Sequence, residues 1–398
     1  MMTRCRLLLA LALTIVCLYG LAQAEEAPDL TQACSITASY RKTLYRVTDG
    51  KRNVPFEGQK GKDTWIAAET PEGQAASALY LVWTSKPTSV NLEVWDGQTQ
   101  DYVPFGTCGA RGMSHEVVDL PENTTRFRLH APDDSGTLAL CEMTVYGAGE
   151  LPGDVQDWQP TAEKTDLMLV SAHPDDEYIF FGGLVPLYAS RGLHVTVVYM
   201  THAGERRLHE LLDGLWTAGV REYPVVLDFP DKFSRTLDKG YTLWGEDAVL
   251  DALAEVIDRC EPEVVVTHDL NGDYGHGAHR VSGDACLRLI RDGARTLTWQ
   301  PKKLYLHLYE ENPVRMDWET PLEALGGRTP LEAAREAFKC HKSQQGFDTP
   351  LKNGKIYKFE VASGGLFDNA CFGLAYTSVG PDTLKNDLME NIELEDAL

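Results

Sequence analysis

Apolar and polar positions alternate along the first third of the chain. Val90, Leu92 and Val94 place an apolar side chain at every second position, and Asp96-Gly97 then marks a turn. Similar short stretches, separated by turn-forming residues, recur at intervals of about ten residues. This pattern predicts an all-β sandwich over residues 30–148.

A different pattern follows a Gly- and Pro-rich linker at residues 149–165. Continuous apolar runs at 167–170, 194–200 and 264–266 alternate with stretches of helical periodicity. Strands that are apolar throughout are typical of parallel sheets buried on both faces. Residues 166–398 are therefore predicted to form an α/β domain, with helices on both faces of a Rossmann-like parallel sheet.

Composition excludes several classes of protein. Hydrophobic residues make up 43% of the 398, which is enough for folded cores and excludes a disordered chain. The formal net charge of −22 would repel phosphate backbones, so no nucleic-acid partner is expected.

The first 24 residues are typical of a secretory signal peptide. Arg4 and Arg6 precede an apolar run over residues 7–22, and Ala22-Gln23-Ala24 offers a cleavage site. An uncleaved membrane anchor is the alternative, but the run is short for a spanning helix. We expect a secreted, extracellular protein with no stable membrane insertion after cleavage.

An oxidising compartment would allow disulfides among the seven remaining cysteines. Pairing is most plausible within Cys34, Cys108 and Cys141, and the odd count leaves at least one cysteine free. No cysteines show CxxC spacing, so neither a redox motif nor a thiolate zinc site is indicated.

Histidine and acidic residues follow the apolar runs. The carboxyl ends of parallel strands meet at one edge of the sheet, which is where open α/β sheets bind ligands. These side chains are therefore expected to lie together. The segments that follow four successive runs are 172–177, 201–205, 228–231 and 268–279.

Imidazole and carboxylate together suit a divalent metal with a position open for water. His173 and Asp176 are three residues apart at a strand-to-helix turn, and His276 or His279 could complete a three-ligand set. Asp175 could then act as general base, and the second histidine as acid or oxyanion stabiliser. Taken singly, the acidic turn could be a solvated helix cap, and the histidine pair could be two surface residues.

Several motifs in chain order are similar to one known family. Ala172 to Glu177 (AHPDDE) resembles the signature of the PIG-L/LmbE-like zinc-dependent N-acetylglucosaminyl de-N-acetylases. The T-x-x-GE, R-x-x-E, F-P-D, second-histidine and late H-x-S-Q motifs of the family have counterparts at 201–205, 207–210, 229–231, 268–279 and 337–344. The N-terminal sandwich resembles discoidin-like, galactose-binding-like modules.

The resemblance implies hydrolysis of an N-acetyl amide on an amino sugar. It implies that zinc, or iron or another divalent metal, is bound by His173, Asp176 and His279. It further implies that Asp175 is the general base and that His276 protonates the leaving amine or stabilises the oxyanion. Two further residues would hold sugar hydroxyls, namely Arg207 and Asp231.

One position departs from the family pattern. The family has H-P-D-H where this chain has His276-Gly277-Ala278-His279, so the carboxylate that orients the acid histidine is missing. We expect Asp273 to orient His276 instead; the alternative is a slower enzyme with a less basic His276. Glu177 is expected to support the turn rather than to bind the metal.

Three functions are compatible with the sequence. The leading one is a secreted deacetylase of GlcNAc-containing glycans or glycoconjugates, with the sandwich as a carbohydrate-binding module. The others are a carbohydrate-binding protein with a weak or inactive hydrolase domain, and a deacylase of a small glycosylated metabolite. Trp65, Trp83 and Trp95 could stack on sugars, but tryptophans in a sandwich more often belong to the core.

Overall fold

The computed structural model describes residues 25–132, 137–345 and 367–394. The predicted signal peptide, residues 1–24, lies outside these ranges. Within them, no helix combines the length and the apolar character needed to cross a membrane.

The N-terminal part consists of two antiparallel sheets. Their strand orders are β1-β3-β8-β5-β6 and β2-β9-β4-β7. The strands are β1 (Ser35–Ala38), β2 (Phe56–Glu57), β3 (Thr64–Glu69), β4 (Ala76–Trp83), β5 (Val90–Asp96), β6 (Asp101–Cys108), β7 (His115–Thr124), β8 (Arg126–Ala131) and β9 (Ala139–Tyr146). Short 3₁₀ helices lie at Thr31–Ala33 and Leu44–Thr48.

One apolar core lies between these two sheets. Ile66 and Phe127 enter it from the five-stranded sheet, and Leu81 and Trp83 enter it from the four-stranded sheet. The predicted sandwich is therefore confirmed. Trp83 is a core residue, whereas Trp65 and Trp95 are half-buried.

None of the disulfides that the sequence would allow is formed among the described residues. Cys34, Cys108 and Cys141 are free thiols, as are the other four cysteines of the described residues. Cys108 belongs to the core between the sheets, whereas Cys141 belongs to a separate apolar cluster with Tyr80. Their side chains therefore pack in different layers.

A seven-stranded sheet forms the centre of the C-terminal part, in the order β12-β11-β10-β13-β14-β16-β15. The first five are parallel, which confirms the predicted Rossmann-like sheet, while β16 pairs antiparallel with both β14 and β15. The sheet is thus mixed at one edge, because a C-terminal strand inserts between two earlier ones. The strands are β10 (Thr165–Ser171), β11 (Val195–Tyr199), β12 (Val225–Val226), β13 (Pro262–Thr267), β14 (Lys303–His307), β15 (Pro313–Arg315) and β16 (Cys371–Thr377).

Helices cover both faces of this sheet. Leu167 and Leu169 of β10 pack into one core, and Met168 and Val170 pack into another. The helices are α1 (Asp176–Ile179), α2 (Leu184–Ser190), α3 (Glu205–Thr217), α4 (Leu237–Trp244), α5 (Glu246–Cys260), α6 (Gly277–Ile290) and α7 (Pro330–Phe338), with a 3₁₀ turn at Glu323–Leu325. The family resemblance implies a helix for the late motif at 337–344, but α7 ends at Phe338 and His341 lies in the turns that follow.

A buried ion pair fixes the C-terminal segment to the sheet. Lys303 of β14 is fully buried, and its Nζ donates to the Asp382 carboxylate, to the Glu390 carbonyl and to the Tyr305 hydroxyl. Asp382 also accepts from Tyr305. Removal of either charge would leave the other without its partner in a low-dielectric site.

We expect Asp382→Ala to lower the free energy of unfolding by about 3–5 kcal/mol, because Lys303 would remain buried without a counter-charge. Urea denaturation would measure the change. Glu336→Gln, which breaks the exposed pair with Lys339, is the control and is expected to cost less than about 1 kcal/mol. Equal losses of unfolding free energy in the two variants would show that the buried pair stabilises the fold no more than the exposed pair does.

Candidate metal centre

The side chains predicted from the strand ends do converge at one edge of the sheet. His173 and Asp176 follow β10, whereas His279 lies in the first turn of α6, after β13. All three are at least nine-tenths buried. The edge is thus the one where parallel strands place their carboxyl ends.

The three predicted ligands present their donor atoms as a compact triangle. His173 Nδ1 lies 3.1 Å from Asp176 Oδ2, and His279 Nε2 lies 3.3 Å from each of these two atoms. Donors that bind zinc at about 2.0–2.2 Å are themselves about 3.0–3.5 Å apart. The donor set and its spacing therefore fit a divalent ion.

Two other groups of potential metal ligands include residues of this triangle. Among the described residues, ligand atoms within 4.8 Å of one another are also offered by His173, His276 and His279, and by Asp176, His268 and His279. However, His268 Nε2 already accepts the Ala172 backbone N–H at 2.9 Å. His268 therefore has the weaker claim as a ligand.

Asp273 does not contact His276 as predicted. Its Oδ2 is 2.6 Å from His279 Nδ1 and 2.7 Å from His268 Nδ1, and its Oδ1 contacts His307 Nδ1. The expectation that Asp273 orients His276 is therefore wrong. Asp273 instead orients His279 through the nitrogen that faces away from the triangle, as carboxylates do behind metal-binding histidines.

The local field favours a cation. Burial would raise the pKa of Asp273, but its contacts with His268, His279 and His307 hold that pKa well below the usual range. Burial acts to lower the pKa of His279, yet Asp176 and Asp273 raise it to about 10. Two ionised carboxylates therefore favour positive charge beside His279 Nε2, from a proton or from a metal.

Asp175 occupies a strained turn beside the triangle. Its φ is +106°, a region that residues other than glycine rarely adopt, and its side chain is almost fully buried. Its backbone N–H donates to Glu177 Oε2 at 2.7 Å, and the other Glu177 oxygen is 2.9 Å from His341 Nε2. Glu177 thus lies behind the turn, where the sequence predicted it.

The two predicted sugar-binding residues differ in position. Arg207 Nη2 donates to Asp175 Oδ1 at 2.9 Å and to the Pro174 carbonyl, so it contacts the turn that carries Asp175. Asp231 is partly exposed, and its Oδ1 lies 3.7 Å from His173 Nε2. Only Asp231 has the position expected of a residue at the rim of the site.

His276 is the N-cap residue of helix α6. Its Nδ1 accepts the Ala278 backbone N–H at 3.2 Å, so in the neutral ring the proton is carried by Nε2. Burial, followed by the neighbouring His279 and His173, lowers the pKa of His276 to about 3. The structure therefore presents His276 as a neutral hydrogen-bond donor.

Sequence reasoning missed two exposed aromatic residues at this edge. Phe233 is 60% exposed and meets His276 edge-on, with ring centroids 5.0 Å apart, and Tyr274 is 49% exposed and lies 5.7 Å from His276. Sequence reasoning also missed His307, the last residue of β14. The strand-end rule could have found His307, and the F-P-D loop could have led to Phe233.

A turn of the sandwich reaches this edge. Ser85 donates from its backbone N–H and its hydroxyl to Glu205, at 2.8 and 2.5 Å. Lys86 Nζ lies 2.9 Å from Asp228 Oδ2, and His202 Nδ1 lies 3.0 Å from the other Asp228 oxygen. The sandwich therefore contacts the segments that follow β11 and β12.

Comparison with known families and proteins bears on the family resemblance. Residues 168–290 match the PIG-L family model, described as GlcNAc-PI de-N-acetylase, which confirms the resemblance. A 1D-myo-inositol 2-acetamido-2-deoxy-alpha-D-glucopyranoside deacetylase of Nocardiopsis dassonvillei is 33% identical over 172 residues, or 35% of this chain and 61% of the relative. This chain thus spans less than two thirds of that relative's length.

Two solved structures are each similar to a part of the chain. N,N'-diacetylchitobiose deacetylase from Pyrococcus horikoshii shares 17% identity and a TM-score of 0.35, covering 45% of this chain and 70% of that one. An F5/8 type C domain of a Bacteroides fragilis protein shares 14% identity and a TM-score of 0.24, covering 32% of this chain and 97% of that one.

We expect Asp273→Asn to weaken zinc binding by about 10- to 100-fold, because His279 loses the carboxylate that orients it. Competition with a chromophoric chelator would measure the zinc affinity. Asp284→Asn is the matched control, because Asp284 lies on α6, the helix that carries His279, but is hydrogen-bonded to Tyr241. Unchanged zinc affinity in Asp273→Asn would refute this role.

Proposed function

We propose that this chain, which carries a PIG-L domain at residues 168–290, is a metal-dependent hydrolase that removes the N-acetyl group from GlcNAc-containing glycans or glycoconjugates. The observation that carries the proposal is the triangle of His173, Asp176 and His279 with Asp175 beside it. A three-ligand His/Asp set next to a further carboxylate is the equipment of metal-assisted amide hydrolysis.

Zinc, iron or another divalent ion, when bound by these donors, would act as a Lewis acid and polarise the amide carbonyl. Asp175 accepts a proton from the attacking water, and its position is fixed by Arg207 and by the Glu177 contact to its backbone N–H. His276 donates from Nε2 to the oxygen that becomes negative in the tetrahedral state. The proton on Asp175 then passes to the leaving amine, giving free amine and acetate.

Features around the site favour a glycan as substrate. Phe233 and Tyr274 offer exposed aromatic faces beside His276, and aromatic faces pack well against sugar rings. Asp231 is placed at the rim to accept from hydroxyl groups. The sandwich turn at Ser85 and Lys86 lies close enough to extend this rim, so we propose that the sandwich helps to bind carbohydrate.

We further propose that the protein is secreted, on the basis of Arg4, Arg6 and the apolar run that follows them. An extracellular location favours a glycan over an intracellular metabolite. The deacylase of a small metabolite and the inactive binding protein are the competing functions. The intact metal triangle and the buried Asp175 argue against the inactive one.

Asp175→Asn is expected to reduce acetate release by at least about 100-fold while zinc remains bound, because the general base is lost and the ligands are kept. The assay is acetate release from a panel of GlcNAc oligomers and glycoconjugates, with metal content measured in parallel. Acetate release by Asp175→Asn at the unmodified rate would exclude this mechanism. A zinc-loaded protein that releases no acetate from any substrate would favour a different acyl amide or a binding-only protein.

Phe233→Ala is expected to raise KM for a GlcNAc tetramer by about 3- to 10-fold with little change in kcat, because a stacking surface contributes to binding and not to bond breaking. Steady-state acetate release would separate the two constants. Tyr45→Ala removes a comparably exposed aromatic ring, 62% exposed, from the sandwich and is the control. An unchanged KM in Phe233→Ala would remove Phe233 from the substrate site.

A further inference from the structure

A large cavity lies between the sandwich and the α/β domain, and the proposed deacetylation does not use it. Its volume is about 880 Å³, which is within the range of ligand sites. Residues of the sandwich and the linker form one wall, and residues of α3 and the late motif form the other. The residues on which the argument depends are Lys51, Arg52, Gln156, His209, Arg221 and Lys342.

The cavity is basic in a strongly acidic protein. Five basic and three acidic side chains line it, although the chain carries a formal charge of −22. Arg52 is paired with Asp213. Lys51, Lys342 and Arg221 are exposed, and these three cations outnumber the two acidic side chains that remain in the lining. An excess of positive charge in a cavity attracts an anion.

His209 adds a buried polar atom that has no partner. It is only 3% exposed, it lines the cavity, and its Nε2 makes no hydrogen bond. Buried polar atoms are nearly always paired, so this nitrogen in the cavity wall can still take a hydrogen-bond partner.

A chain of hydrogen bonds defines what His209 offers. The Gln156 backbone N–H donates to the Tyr80 oxygen, and the Tyr80 hydroxyl is 2.5 Å from His115 Nδ1. His115 Nε2 is in turn 3.0 Å from His209 Nδ1. When Tyr80 donates its proton along this chain, His115 donates to His209, and His209 Nε2 carries an N–H. The atom without a partner is then a donor.

We propose that this cavity binds an anionic oligosaccharide, with uronate or sulfate groups contacting Lys51, Arg221 and the His209 N–H. The Asn53 amide and the Thr217 hydroxyl, both exposed residues of the same lining, suit the sugar hydroxyls. The site is separate from the metal triangle and does not depend on deacetylation. It would let the protein hold an acidic glycan at the junction of its two parts.

Isothermal titration of the full-length chain with tetragalacturonate, sulfated cellotetraose and neutral cellotetraose tests this proposal, because none of the three carries an N-acetyl group. We expect at least one anionic probe to bind, with an affinity that falls as NaCl is raised, and no binding of the neutral probe. The pair of anionic probes distinguishes uronate from sulfate recognition. Failure of both to bind, or equal binding of the neutral probe, would overturn the proposal.

Charge-matched variants locate the site. Lys51→Gln with Arg221→Gln is expected to raise Kd by about tenfold or more, because two charged contacts are lost. Arg41→Gln with Lys60→Gln removes the same charge from exposed positions outside the cavity and should leave Kd unchanged. Equal Kd values for the two double variants would place the anion elsewhere. Acetate release should be unaffected in both, which keeps this test independent of the proposed function.

A third comparison tests the donor. His209→Gln keeps an N–H of similar reach and is expected to bind the anionic probe more tightly than His209→Leu. Equal affinities of these two variants would show that His209 does not contact the ligand.

Discussion

The fully buried carboxylate of Asp273 is the constraint on which the site depends. A charge so far from water is stable only when its oxygens are bound, and three histidines bind them. His268 follows β13, His307 ends β14, and His279 lies on α6, so one carboxylate holds two neighbouring strands and a helix in register. His268 also reaches back to the backbone just before His173, and the ligand triangle is thereby connected to the sheet on both sides.

Helix α3 connects that site to the rest of the molecule. Arg207 contacts Asp175, while Glu210, on the same face one turn later, accepts from the backbone N–H and hydroxyl of Ser343. His209 points away from that face and meets His115 of the sandwich. One helix therefore contacts the turn at Asp175, the late motif and the sandwich. A shift of the sandwich would act on Asp175 through a rigid element rather than through a flexible linker.

Periodicity predicted the sandwich, the parallel strands and the edge where the histidines meet, because each of these follows from local alternation and from the polarity of a parallel sheet. It did not predict the partner of Asp273, because the φ of +56° there turns the carboxylate towards His279. It also missed the covered outer face of the four-stranded sheet. The run from Ala78 to Trp83 is buried on both faces because Val155 of the linker packs with Tyr80 and Val82, while His209 of α3 covers His115 on the neighbouring strand. This is a tertiary effect that alternation does not reveal.

Ala278 stands where the family has a carboxylate, and its position at the N-terminus of α6 changes the protonation that His276 favours. A carboxylate beside His276 would stabilise the imidazolium form, whereas a backbone N–H that donates to Nδ1 stabilises the neutral form. Under the proposed mechanism, His276 then has a proton to share with an oxyanion but none to give to the amine. Asp175 must therefore both accept and return the proton, and its strained, fully enclosed turn is consistent with a group whose position has to serve two successive transfers.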